Sequence, residues 1–290
     1  MLVILLLVTE AALGNLVVED GAKLLDSTSC GYQNVENGTS GTVSIYEFPW
    51  LVHVKLSKQE YDYEFADRCN GALINDRYVL TNAYCGAEAI KVIIGQYRTN
   101  ESVSCNLDSQ CTDPRLEINV EENIRDGIIQ NGPYDFSLLR LQKKVPFSDF
   151  IKPICLDLDG KNPQIRTPLT FSGWGASNSQ GVAKKRLVYN VVVDDVCFEP
   201  EPYLRGNVKF AKANFICSTP PEGNKVRACN GEHGSPFMYK SEKNQWFVDG
   251  VVVQATSSDV GVATCAYDKP VNGIRITSRT IEWILATIRS

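Results

Sequence analysis

The feature that most constrains the fold of this chain is a series of short runs rich in β-branched and aromatic residues, each ended by turn-forming residues. Such runs are typical of β-strands, and their spacing favours an all-β barrel or sandwich. In the last fourteen residues, isoleucine and leucine instead recur at helical spacing from Ile281 to Ile288, behind Thr277 and Ser278, either of which can cap a helix. The sequence therefore predicts an all-β fold that ends in one amphipathic helix. The predicted strands are Trp50–Leu56, Tyr78–Thr81, Ala89–Ile94, Phe136–Leu141, Leu187–Val193 and Trp246–Val253.

Ten cysteines, an even number, are spread along the 290 residues. This usage favours an oxidising compartment and five disulfides, and the absence of a Cys-x-x-Cys pair argues against a zinc ribbon or a redox motif. Residues 1–14 contain an apolar run followed by small residues, which predicts a secretory signal peptide; the alternative is a short buried strand. Sequons at Asn37 and Asn100 are glycosylation candidates and also fit secretion.

The charge of the chain excludes one class of partner. The formal net charge is −5, with a pI of about 5.3, and no basic patch is present, which argues against a nucleic-acid partner. No apolar run is long enough to predict a membrane span.

Two segments carry a family resemblance. Cys229–Met238 resembles the nucleophile loop Cys-x-Gly-Asp-Ser-Gly-Gly-Pro of trypsin-like serine proteases, and Val79–Cys85 resembles their Leu-Thr-Ala-Ala-His-Cys segment. The resemblance spans about residues 44–290 and implies two six-stranded antiparallel β-barrels with a cleft between them and a C-terminal α-helix. The N-barrel is expected at about 44–156, and the C-barrel with its helix at about 157–290. Further matches, in order, are Glu47–Trp50, Tyr134–Leu141, Lys152–Leu156 and Phe171–Gly175.

The same resemblance implies a pairing for the cysteines and a tether for the lead segment, residues 15–43. Cys30 and Cys155 match a disulfide that joins an N-terminal segment to the protease-like domain, and an extra small cysteine loop follows. These features are most similar to arthropod clip-domain proteases and their inactive homologues. Only Cys30 precedes the barrels, whereas a clip domain has six cysteines of its own, so we expect no clip domain in this chain. The implied disulfides are Cys30–Cys155, Cys69–Cys85, Cys105–Cys111, Cys197–Cys217 and Cys229–Cys265.

The residues that perform catalysis in this family are changed. Serine-protease chemistry needs a hydroxyl nucleophile, an imidazole base and a carboxylate that orients the base. The resemblance places His233 at the nucleophile position, Tyr84 at the base position and Asp135 at the carboxylate position, so only Asp135 is of the usual type. A tyrosine near its usual pKa of ~10 is a proton donor at neutral pH. The one other histidine, His53, lies in a predicted strand, so the sequence predicts a pseudoprotease with no catalytic residue, no metal and no cofactor.

The devices that activate proteases of this family and select their substrates are also changed. The activation site falls at residues 37–40, where there is no Arg or Lys to cut after and no Ile-Val to insert, and Arg227 occupies the specificity-pocket position. The substrate-binding edge corresponds to residues 253–255. The basic run Lys184–Arg186 has two interpretations: ordinary surface charge at the start of a strand, or an exposed cleavage site after Arg186.

The resemblance implies a secreted, catalytically inactive homologue that acts as an adaptor or regulator in an extracellular protease cascade. Its arthropod-like features indicate haemolymph and innate immunity, through melanisation or complement-like reactions. The implied partners are other serine proteases or their zymogens, prophenoloxidase or complement-like proteins. One alternative is a recognition or adhesion module for microbial or cell surfaces, which an exposed aromatic cluster would favour. Another is a hydrolase that uses His233 in unusual chemistry.

Overall fold

The structure is a computed structural model that describes part of the chain. The predicted signal peptide and Asn37 lie outside the described residues. The described residues are 18–25, 28–34, 41–57, 69–126, 136–158, 168–175, 184–191, 215–223, 228, 232–255 and 270–290.

Six strands of the N-terminal half close into an antiparallel barrel in the order β2-β3-β4-β7-β6-β5. Strands β3 and β4 are buried along their whole length, and most of their residues are apolar or small; the buried polar side chains are Asn70, Thr81 and Asn82. Strand β6 instead alternates, with charged and amide side chains facing solvent. The bounds are β2 Leu51–Leu56, β3 Cys69–Leu73, β4 Tyr78–Asn82, β5 Ala89–Ile94, β6 Leu116–Arg125 and β7 Phe136–Leu141.

A second antiparallel barrel follows in the order β8-β9-β10-β13-β12-β11, and strand β11 pairs with β8 to close it. The short strand β1, Gly41–Thr42, adds to β9 from outside this barrel. The two barrels confirm the predicted fold class. The bounds are β8 Leu169–Gly173, β9 Lys185–Val191, β10 Phe215–Thr219, β11 Pro236–Lys240, β12 Trp246–Ala255 and β13 Val271–Arg275.

Three helices accompany the barrels among the described residues: α1 over residues 18–23, α2 Ala83–Ala87 and α3 Ser278–Thr287. Helix α3 is the predicted terminal helix. Thr277 is its N-cap, and Thr280 completes a capping box, so two backbone N–H groups that the helix leaves open are satisfied. Its buried side chains, Ile281, Ile284 and Leu285, place the predicted apolar stripe in the core.

Aromatic side chains join the two barrels. The ring centroids of Phe48 and Trp246 lie 5.5 Å apart, and those of Trp50 and Trp246 lie 6.5 Å apart. Trp50 Nε1 donates to Met238 Sδ at 3.0 Å, which links the residue just before β2 of one barrel to β11 of the other. All four side chains are almost completely buried, so the packing between the barrels is continuous with the core.

Disulfides fix the lead segment and two loops. Cys30–Cys155, Cys69–Cys85 and Cys105–Cys111 are formed, as the resemblance implies. Cys217 is also disulfide-bonded. Its predicted partner Cys197, and the predicted pair Cys229–Cys265, lie outside the described residues.

Next to the first disulfide, the backbone of Gly31 lies against the second barrel. The Gly31 N–H donates to Pro153 O at 2.8 Å, and the Trp246 N–H donates to Gly31 O at 2.9 Å. Gly31 has a φ of 71°, and a Cβ at this position would lie 2.4 Å from Trp246 O. A glycine is therefore required where the lead segment crosses the barrel.

Two residues of the basic run at residues 184–186 bear on its two sequence interpretations. Lys184 is buried, and its Nζ donates to Glu47 O at 2.7 Å, so it is not surface charge. Arg186 lies inside β9, where its backbone pairs with Ser172 of β8 and Gly41 of β1. A protease binds its substrate as a segment free of sheet pairing, so this placement does not favour cleavage after Arg186.

The burial of Lys184 predicts a pH-dependent stability. Burial lowers the pKa of the Lys184 amine from its usual 10.5 to about 7. Between these values the unfolded chain binds the proton and the folded chain does not, so stability rises with pH. From pH 7 to pH 9 we expect this group to add about 2 kcal/mol to the free energy of unfolding. Urea unfolding at both pH values measures it. Lys184→Met, which keeps the apolar stem, should lack this increment, and an equal rise in both proteins would contradict the prediction.

Candidate active site

The turn that leads into β11 holds the residue at the nucleophile position. The Asn70 N–H donates to His233 O at 2.7 Å, and the Gly234 N–H donates to Val252 O at 2.8 Å. These bonds attach the turn to β3 of the first barrel and to β12 of the second. Gly234 has a φ of 76°, and a Cβ there would lie 2.1 Å from Asn70 O. The local geometry therefore requires glycine at 234 and fixes where the His233 side chain begins.

The His233 side chain is held by a backbone carbonyl. Its Nδ1 lies 2.6 Å from Val253 O. Because a carbonyl only accepts, Nδ1 carries the proton and donates it, which leaves Nε2 as the acceptor of a neutral ring. Burial lowers the pKa of His233, while the bond to Val253 acts in the opposite direction. The imidazole is thus neutral near pH 7.

Tyr84, at the base position, lies beside this histidine. The two ring centroids are 5.5 Å apart with an interplanar angle of 54°. Tyr84 is the second residue of α2, and 43% of its surface is exposed. The two positions that hold a base and a nucleophile in the family therefore adjoin each other here, but they hold a phenol and an imidazole.

Asn82 has two structural roles beside the site that were not predicted from the sequence. Its Oδ1 accepts from the Cys85 N–H and caps α2, while its Nδ2 donates to Val252 O at 2.8 Å across the two barrels. Asn82 occupies an alanine position of the family segment. An asparagine just before a short helix is an N-cap signal, so the first role was readable from the sequence, whereas the contact with Val252 required the fold.

The remaining predicted site residues have the following positions. Asp135 lies outside the described residues, as do Arg227 and Gly231. Glu232, where the family has an aspartate, is fully buried, and so is Ser235.

Residues outside the triad positions fill ordinary structural places. His53 lies in β2, as expected, with its Nδ1 3.0 Å from Gln96 Oε1. The sequon residue Asn100 is exposed.

Two kinds of feature are absent from the part of the chain that the structure describes. No group of three or more His, Cys, Asp or Glu side chains there has an arrangement that would hold a metal ion. None of the helices described is both long and apolar enough to cross a membrane.

A model of the Trypsin family matches residues 39–276. This chain belongs to the trypsin family. Serine protease 7 of Drosophila melanogaster is 30% identical over 306 aligned positions, which cover 97% of this chain and 71% of that protein. Phenoloxidase-activating factor 1 of Holotrichia diomphalia is 28% identical, with 77% of this chain and 64% of that protein covered. Phenoloxidase-activating enzyme of Bombyx mori is 32% identical, with 69% and 50% covered.

Among solved structures, the Grass clip serine protease of the Drosophila Toll pathway superposes with a TM-score of 0.69. It is 18% identical, and the match covers 90% of this chain and 75% of that one. At that identity the likeness concerns the fold, which is the two-barrel fold described above. The chain is thus similar to clip-domain proteases in sequence and to one of them in fold.

Within the trypsin family, the geometry around His233 limits the chemistry of the cleft. A serine nucleophile is activated when a neighbouring imidazole accepts its proton. Here the predicted nucleophile position holds an imidazole, and the N–H of that ring is bonded to Val253 O of β12. Val253 is the first residue of the predicted substrate-binding edge, residues 253–255, and its carbonyl is the acceptor that His233 uses.

Proposed function

We propose that this chain is a secreted, catalytically inactive member of the trypsin family. It acts as a non-enzymatic adaptor or regulator of an extracellular protease cascade in arthropod innate immunity, in melanisation or a complement-like reaction. Its formed disulfides fit an oxidising compartment.

The observation that carries this proposal is the position of His233. Its Nδ1 proton is donated to Val253 O, and its ring lies against Tyr84 rather than against a serine hydroxyl. Two of the three triad positions therefore hold residues that do not perform the usual chemistry, and loss of the triad reduces catalysis to a weak remainder. The complete burial of Ser235 supports the proposal, because a substrate does not reach a buried hydroxyl.

The relatives support the cascade part of the proposal. Their names include phenoloxidase-activating factors, a phenoloxidase-activating enzyme and a Spaetzle-processing enzyme. The fold of this chain matches that of a clip serine protease, so it supplies a frame of the same kind for surface loops. Loops on a rigid, disulfide-linked frame suit binding, because the frame positions them. We therefore expect the partners to be serine proteases, their zymogens, prophenoloxidase or complement-like proteins.

Binding to purified proteins tests the proposal. The secreted chain is immobilised, and arthropod prophenoloxidase and a clip-domain protease zymogen are passed over it, with bovine trypsinogen as a control of the same fold. Prophenoloxidase cleavage by the activated protease is then measured with and without the chain. Saturable binding to either arthropod protein, together with a changed cleavage rate, supports the adaptor function. No binding and an unchanged rate would refute it.

A second candidate function is recognition of a microbial surface, and one feature of the structure favours it. Tyr32 and Phe147, which are 40% and 44% exposed, line the same open groove between the lead segment and the loop before Cys155. Polar side chains of the groove, including Asp149 and Lys152, lie beside these rings. Exposed aromatic rings with polar neighbours suit stacking against sugars. Retention of the chain on insoluble β-1,3-glucan or peptidoglycan that is lost in Tyr32→Ala would favour this function over the first.

A further inference from the structure

A stapled loop projects between β5 and β6, and we call residues 102–115 the cysteine arm. Its stem is a hairpin in which the Arg115 N–H donates to Ser102 O and the Thr112 N–H donates to Ser104 O, both at 2.9 Å. The Ser104 N–H also donates to Thr112 Oγ1 at 3.0 Å, and both of these side chains are buried. The stem is therefore an ordered hairpin with two buried polar side chains, Ser104 and Thr112.

The tip of the cysteine arm is rigid for separate reasons. The disulfide Cys105–Cys111 closes it, and Asn106 forms hydrogen bonds to the residues between the two cysteines. Asn106 Oδ1 accepts from the Asp108 N–H at 3.1 Å and from the Gln110 N–H at 2.9 Å. The Asn106 N–H donates to Gln110 O at 2.8 Å. The loop thus keeps one conformation without help from the rest of the surface.

This rigid tip presents a leucine to solvent. The relative exposure of Leu107 is 103%, and Val103 on the stem is 42% exposed. A single exposed apolar residue is ordinary on a protein surface. At this tip, however, the disulfide and the Asn106 hydrogen bonds hold the backbone around Leu107 in place. The leucine side chain therefore cannot fold back onto the body of the protein. A partner that buries Leu107 then loses little conformational entropy, because the loop is already ordered.

The charges around the tip are negative. Asp108 and Asp113 are exposed. Arg115 is the one basic residue of the arm, and its side chain points away from the tip. Its guanidinium donates to Thr99 O, Glu101 O and the Glu117 carboxylate. The surface offered by the tip is therefore one apolar side chain with carboxylates beside it.

We propose that the cysteine arm is a docking element whose Leu107 enters an apolar pocket rimmed by basic side chains on a partner protein. Burial of the leucine supplies affinity, and Asp108 and Asp113 supply orientation and a faster encounter with the basic rim. This inference rests on the proposed function, because it assigns the surface through which the chain binds a cascade protein.

Substitutions in the full-length secreted chain test the inference. Leu107→Ser is expected to weaken binding to prophenoloxidase or to the clip-domain protease zymogen by about tenfold or more. Asp108→Asn with Asp113→Asn should weaken binding less and make it less sensitive to salt. The matched control is Ile90→Ser, which removes an apolar side chain that is 52% exposed on β5, outside the arm. It should bind like the unchanged chain.

The outcomes separate the two proposals. If the unchanged chain binds and Leu107→Ser binds equally well, with the same thermal midpoint, the arm is not the docking element although the adaptor function stands. If Ile90→Ser weakens binding as much as Leu107→Ser, the effect is not specific to the arm and the inference is wrong. If the unchanged chain binds neither protein, both proposals fail.

Discussion

Replacing Arg275 with methionine is expected to lower the free energy of unfolding by about 3–5 kcal/mol. Arg275 Nη1 donates to Asp249 Oδ2 at 2.8 Å, and both side chains are buried, at 5% and 4% exposure. Methionine keeps much of the volume but removes the guanidinium, so the Asp249 carboxylate stays in the interior without this charge beside it. Urea unfolding of both proteins at pH 7 measures the difference.

The paired variant is the control for this prediction. Arg275→Met with Asp249→Leu removes both charges, so no carboxylate is left behind, and most of the lost stability should return. A loss below about 1 kcal/mol in the single variant would show that the pair does not hold β12 to β13.

Gly234→Ala is expected to destabilise the fold by at least about 3 kcal/mol, because two costs combine. The φ of 76° is strained for any residue with a Cβ. That Cβ would also lie 2.1 Å from Asn70 O and 2.3 Å from Thr81 Oγ1. The turn would have to move, and it would break the bond from the Gly234 N–H to Val252 O. Thermal unfolding and urea unfolding both report the change.

Gly223 provides the matched control for Gly234. Its φ is 75°, almost the same, but no atom of the described residues beyond its two chain neighbours lies within 4 Å of the position a Cβ would take. Gly223→Ala should therefore cost only the backbone strain, about 1–2 kcal/mol. Equal losses in the two variants would mean that the contact with Asn70 is not what requires glycine in the turn.

The predictable part of the fold follows from local patterns. All six predicted strands are present, because short apolar β-branched runs bounded by turns rarely form anything else in this context. Strand β6 was not predicted, since its exposed face carries glutamate and asparagine and leaves few apolar residues to count. Strand β3 was not predicted because Gly71 interrupts its apolar run and suggests a turn. A Cβ at this position would lie 2.6 Å from Val79 Cγ1, so the glycine is needed for close packing.

The less predictable features all depend on contacts between distant residues. Lys184 looks like surface charge in the sequence, but its amine is buried and donates to the carbonyls of Glu47 and Phe48, which lie 137 and 136 residues away in the chain. The bond from His233 to Val253 likewise forms only once β12 lies beside the turn. The family resemblance predicts which residues occupy the triad positions, but it did not show how the imidazole is held.

The central claim, that the cleft does not perform serine-protease chemistry, is tested most directly by labelling with a fluorophosphonate reagent. The folded, secreted chain is treated beside an active clip-domain protease and beside the heat-denatured chain, and the adduct is counted by mass spectrometry. The proposed function predicts no labelling above the denatured control at any pH from 6 to 9. Stoichiometric labelling of the folded chain that disappears in Ser235→Ala would contradict it, because it would show an activated serine beside His233.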